Sequence, residues 1–173
     1  MNRLIIFCYI STLLFSSCDE HPEQKKELTW SKEQSTALNK EIIEEEKIQI
    51  NLFLAHHKDW KVEESGTGLR YYLYKKGEGS LAQVGQKAHV QLKVELLDGT
   101  VCYSTEKNME DIFVIDKSDI ETGIQEGIKL MNVGAKSKLI IPAHLAHGIT
   151  GDLDKIPPLS TLIVDIQLNK LTQ

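Results

Sequence analysis

Cysteine is too scarce in this chain to build a disulfide framework. It occurs three times, at Cys8, Cys18 and Cys102, and the first two fall in an N-terminal segment unlike the rest. If that segment is removed and Cys18 is modified, Cys102 has no partner within the chain, and stability must come from a hydrophobic core. Positive charge is not in surplus either. Lys and Arg number 20 against 25 Asp and Glu, for a net charge of −5, which excludes a broad electrostatic attraction for nucleic acid or anionic lipid. The apolar stretch Leu4 to Phe15 is too short to span a bilayer comfortably, and polar chain follows at once. There is no internal repeat, low-complexity tract or second large domain, and the length suits one ordinary domain with appendages.

The N-terminus carries a targeting signal. Arg3 supplies the positive charge, an apolar stretch follows, and the small residues Ser16 and Ser17 precede Cys18. Small residues directly before a cysteine resemble a bacterial lipoprotein processing site, with Phe15 where such sites usually carry Leu. Residues 1–17 then form the signal peptide, and Cys18 becomes an acylated N-terminus whose several chains give stable membrane anchoring. The alternative is a plain secretory peptide. Residues 18–30 are polar and read as a tether.

Ser31 with Gln34 forms a capping-box signature, so a helix is expected within residues 31–60, running to about His57. Its stripe of Leu38, Ile42, Ile43, Ile50, Phe53 and Leu54 can pack on the following domain or on a second copy of itself, forming a homodimer; the reading favours the domain. Leu69–Tyr74 is strand-like. From Lys87 the alternation is regular, with Ala88, Val90, Leu92, Val94 and Leu96 on one face. Asp98–Gly99 is a hairpin turn. Strands are expected again at 101–104, 112–115, 136–141 and 162–169. Ile120, Ile124, Ile128 and Met131 recur at helical spacing, with Gly134 as the C-terminal cap. Antiparallel strands with one short helix make an α+β domain, a twisted sheet wrapped over a central helix, preceded by a helical extension.

Several pieces in order resemble one family. They are Asp98–Gly99, the run Gly123–Ile124–Gln125–Glu126–Gly127, Met131 with Gly134, Ile141–Pro142, Ala146, Gly148, Ile156–Pro157, and Thr161–Leu162 with Asp165. Over residues 66–172 the chain resembles the FKBP-type peptidyl-prolyl cis-trans isomerases. The layout of acylated cysteine, tether, helix and domain is also similar to lipoproteins associated with gliding motility in some bacteria. The family resemblance implies rotation about X–Pro bonds, a barrier of about 18–20 kcal/mol set by amide resonance. The twisted transition state is less polar than the planar imide, so a dry apolar pocket favours it. No metal, cofactor or covalent step is implied.

The same resemblance places the site and shows how its lining differs. Leu92 stands where a strand Tyr is usual, Cys102–Tyr103 where Phe–Asp is usual, Ile124 in place of a floor Trp, His147 in place of a loop Tyr, and Val164 in place of a Phe. Phe113, Ile120 and Ile156 match the apolar walls, and Glu121 offers its backbone N–H. Each lost aromatic takes with it about 150–250 Å² of contact surface. The expected activity is therefore a weakened isomerase of the cell envelope acting on X–Pro segments of extracytoplasmic proteins. The alternative is a non-catalytic chaperone or docking lipoprotein of a gliding or secretion complex.

Other residues admit sharper readings, each weighed against a plainer one. His144 and His147, with Asp152 and Asp154 nearby, could hold a metal but lack a firm third ligand, so ordinary loop histidines are favoured. Cys102 reads as a packed thiol rather than a nucleophile. Tyr71, Tyr72 and Tyr74 read as sheet-packing residues rather than a ligand platform, and Asp165 as a solvated outward residue.

Overall fold

The computed structural model describes residues 31–173. The expected signal peptide, the tether and Cys18 lie outside the described residues. Among those described, no helix is long and apolar enough to cross a membrane.

Helix α1 (Lys32–Ala55) opens as its capping box requires. Gln34 donates its backbone N–H to Ser31 Oγ (3.2 Å), and Ser31 donates its own to Gln34 Oε1 (3.0 Å). The helix stops before the expected end. His56 and His57 turn back to bond the carbonyls of Phe53 and Leu54, and the His57 ring nitrogen Nδ1 lies 2.8 Å from the Phe53 carbonyl. These tight bonds satisfy the last carbonyls and leave no ladder to extend.

Seven strands follow: β1 (Glu63–Glu64), β2 (Arg70–Lys75), β3 (Lys87–Leu96), β4 (Val101–Ser104), β5 (Asp111–Val114), β6 (Lys136–Ile141) and β7 (Leu162–Thr172). They form one antiparallel sheet in the order β1-β2-β6-β7-β3-β4, with β5 also paired to β3. A short helix α2 (Thr122–Ile128) lies against β6. Gly123 and Gly127 make that contact possible. A Cβ at Gly123 would stand 2.3 Å from an Ile141 methyl, and one at Gly127 would stand 2.5 Å from a Leu139 methyl. The GIQEG run is therefore a docking face with no room for side chains on two of its positions.

Two expectations for this region need correction. Ile120 and Met131 lie outside the helix, which is capped at Lys129. Gly134, with φ of +90°, occupies the turn entering β6, where Ala135 N bonds the Asn132 carbonyl. The apolar spacing was real because all four residues face one core, but the backbone leaves the helix before the last of them.

The core lies between α2 and the inner sheet face, where Val90, Ile128, Leu139, Leu162, Ile166 and Leu168 are fully buried. Ile140 and Ile163 break the alternation because their outer face is covered too. Ile50 of α1 joins them in a second buried cluster, with Phe53, Leu54, Trp60, Val62 and Leu97 against it. The C-terminal part of the helix stripe, Ile50, Phe53 and Leu54, thus packs on the domain, whereas Leu38 and Ile43 are exposed. Trp60 also stacks on Tyr72 (6.0 Å), which places that tyrosine in the sheet packing, as expected. Asp165 is not simply solvated: its carboxylate accepts from Lys138 Nζ (2.5 Å) and the Tyr74 hydroxyl (2.8 Å).

Candidate active site

Three segments converge at the start of α2. The first is the approach to the helix. Gln125, 7% exposed, reaches back so that its Oε1 accepts from Asp116 N (2.8 Å) and its Nε2 donates to the Ser118 carbonyl (3.0 Å). This fixes the stretch that presents Ile120 and Glu121. Glu121 is the residue before the helix, and among the described residues nothing accepts a hydrogen bond from its N–H. A half-buried donor without a partner is uncommon and invites an external acceptor.

The second segment is the sheet. Phe113, Ile124, Ile156 and Val164 are buried in the main core, with Leu92, Tyr103 and Ile120 half-buried against it. All the apolar residues expected at the site therefore belong to one cluster. The floor is sealed from solvent: Ile124 is 2% exposed and Val164 not at all.

The third is the loop between β6 and β7, and here the polar rim is built. His147 Nε2 is 3.0 Å from Glu121 Oε1, because the Glu121 side chain reaches across to it. His144 turns elsewhere, to the Thr67 carbonyl (3.0 Å). Among the described residues no group of three or more His, Cys, Asp or Glu is arranged to hold a metal. Tyr103 donates its hydroxyl to Asp152 Oδ2, while Asp152 Oδ1 accepts from the backbone N–H of Ile156 (2.7 Å) and Asp154 (2.9 Å). The Tyr103 bond, the two backbone donors and the nearby His147 hold the Asp152 carboxyl below the usual carboxylate range. The same bond, with desolvation, pushes the Tyr103 phenol up to about 12. Lys155 Nζ lies 4.8 Å above the Tyr103 ring, a cation–π contact that completes the cluster.

Asp152 is the residue that sequence reasoning missed in this role. The one signal was Tyr103 itself, which by the family resemblance stands where an acid is usual. Cys102 is 4% exposed and its thiol is pushed up, first by burial and then by Asp152, which fits a packed thiol rather than a nucleophile.

The sheet, the short helix and the loop occur together in one family, and its sequence profile, described as FKBP-type peptidyl-prolyl cis-trans isomerase, matches residues 78–169, just over half of the chain. The chain belongs to the FKBP-type peptidyl-prolyl cis-trans isomerases. It is 35% identical over 122 residues to FkpA of Buchnera aphidicola, covering 70% of this chain and 50% of that protein. It is 33% identical over 110 residues to a probable FkpA of Neisseria meningitidis serogroup B, covering 64% and 40%. The crystal structure of FkpA from Escherichia coli superposes with a TM-score of 0.66 at 28% identity, over 80% of this chain and 64% of that one. The chain spans about half the length of the curated relatives it matches. Within this FKBP frame the candidate site has Ile124 and Val164 buried beneath it and the Tyr103–Asp152 and His147–Glu121 pairs at its rim.

Proposed function

We propose that this chain is a slow peptidyl-prolyl isomerase that acts outside the cytoplasm, anchored to a membrane through acylated Cys18. The observation that carries the reading is the Glu121 N–H, without an acceptor among the described residues, at the edge of the apolar cluster of Phe113, Ile120, Ile124, Ile156 and Val164. A substrate carbonyl beside an X–Pro bond satisfies that donor. The ring then lies on aliphatic surface, where the less polar twisted imide is favoured over the planar one. Leu92 and Tyr103 bound the same surface, and His147 holds the Glu121 side chain aside. With Ile124 and Val164 buried beneath this surface, a proline ring has little depth to enter, and turnover is slow.

A second reading is favoured by that sealed floor: a chaperone or docking lipoprotein, as in a gliding or secretion complex, which holds X–Pro segments without turning them. A soluble form lacking the first eighteen residues, assayed on short peptides with bulky residues before proline, separates the two. Rates above buffer that fall in the Ile124→Ala variant support the isomerase; rates equal to buffer leave only the holding role. For the anchor, radiolabelled fatty acid should enter the full chain in bacteria and be lost in Cys18→Ser. Incorporation that survives this change rules out Cys18 as the acceptor.

A further inference from the structure

The loop carrying His147, Asp152 and Ile156 is fastened at both ends by one carboxylate from outside the matched family region. Glu46, on α1, has its Oε1 2.7 Å from the backbone nitrogen of Ala143 and 2.7 Å from Thr161 Oγ1. Ala143 begins the loop and Thr161 ends it. These residues are 5% and 4% exposed, so water is a poor substitute acceptor for either donor. Bonds to a carboxylate are also stronger than neutral ones.

Glu46 is itself held in place. Ile50, one helical turn along, is 2% exposed against Ile140 and Ile163, so the carboxylate is aimed by a packed helix. Inside the loop the bonds form a chain. Gly148 N donates to the Ala143 carbonyl (2.8 Å), and Leu159 N donates to the Gly148 carbonyl (2.9 Å). Asp152 then ties Ile156 to Tyr103. Displacing the loop ends therefore displaces the residues at the rim.

We propose that Glu46 is a positioning residue for the isomerase site, and that α1 is a working part of that site rather than a spacer. The kinetic half of this inference rests on the isomerase reading above; the structural half does not. Glu46→Ala removes the oxygen that accepts both bonds. Glu46→Gln keeps a carbonyl oxygen that can accept from the same donors. Thr161→Val removes one bond and preserves shape.

The test uses the full soluble chain, with isomerisation kinetics beside residue-resolved amide exchange. Glu46→Ala should lower kcat/KM by about tenfold and speed exchange from Gly148 to Ile156, with the amides of β3 and β7 unchanged. Glu46→Gln should stay close to wild type, and Thr161→Val should fall between. If Glu46→Ala fails to fold, Thr161→Val carries the test alone. Wild-type loop exchange and rate in a folded Glu46→Ala overturn the proposal. So does a uniform rise in exchange across the core with an unchanged rate, the mark of a merely structural role. If the wild type does not exceed buffer, the isomerase reading fails, and loop exchange alone decides whether the clamp exists.

Discussion

Replacing Ile124 with alanine tests the floor of the site and its packing together. The side chain is 2% exposed and belongs to the main core cluster. Three carbons are removed, each contributing about 0.8 kcal/mol of burial. The cavity left behind adds to this, for a total of about 3–4 kcal/mol, within the 2–5 kcal/mol seen for such truncations. A domain of ordinary stability, about 5–15 kcal/mol, survives this at low temperature. Urea unfolding should show the loss as a lower midpoint with an unchanged slope. Isomerisation measured well below the transition should fall as well, because the ring-bearing surface has been hollowed. The control is Ile166→Ala, fully buried in the same core but not counted among the site residues, which should lose similar stability and keep its rate. A stability loss under about 1 kcal/mol would refute the packed floor. Equal rates in both variants would refute the placement of the site.

Other expectations concern the rim and the loop. In an ultraviolet titration Tyr103 should ionise near 12, and Asp152→Asn should return it toward the ordinary value of about 10. A raised phenol contributes stability that is present below its ordinary value and lost as pH rises through the folded one, so Asp152→Asn should remove that alkaline fall. Because Asp152 is depressed, its contribution is present above the usual aspartate range and should persist when acid has protonated exposed carboxylates; loop amide shifts in an NMR pH series would show this. Gly151→Ala should disorder the loop tip, since its φ is +67° and the added Cβ would lie 2.1 Å from the Ile156 carbonyl oxygen. The backbone conformation alone costs about 1–2 kcal/mol, and calorimetry should register at least that. Cys102, buried and raised, should resist thiol reagents until the chain unfolds; rapid labelling of native protein would show the pocket wall to be open.

The elements that were legible in the chain are those whose signals are local. The capping box at Ser31 and Gln34 formed as read, because both bonds lie within three residues. The β3 alternation and the Asp98–Gly99 turn depend on nearest neighbours in the same way. Helix α2 was placed but drawn too long, because spacing reports which residues share a face, not whether the backbone stays helical. Family resemblance gathered nine site residues from six stretches of chain. It missed Asp152, whose partner Tyr103 is distant in sequence, and it did not foresee the contact of His147 with Glu121.

The amino-acid order therefore made the strands, the short helix and the segments proposed for the site legible, since these follow from periodicity, turn chemistry and motif order. Tertiary structure decided that Ile124 and Val164 are buried and that two acid-containing pairs form at the rim. It also decided that Glu46 reaches both ends of the site loop. Each of these is a contact between groups far apart along the chain, made only when helix and sheet have packed, and no local pattern of residues encodes the distance between them.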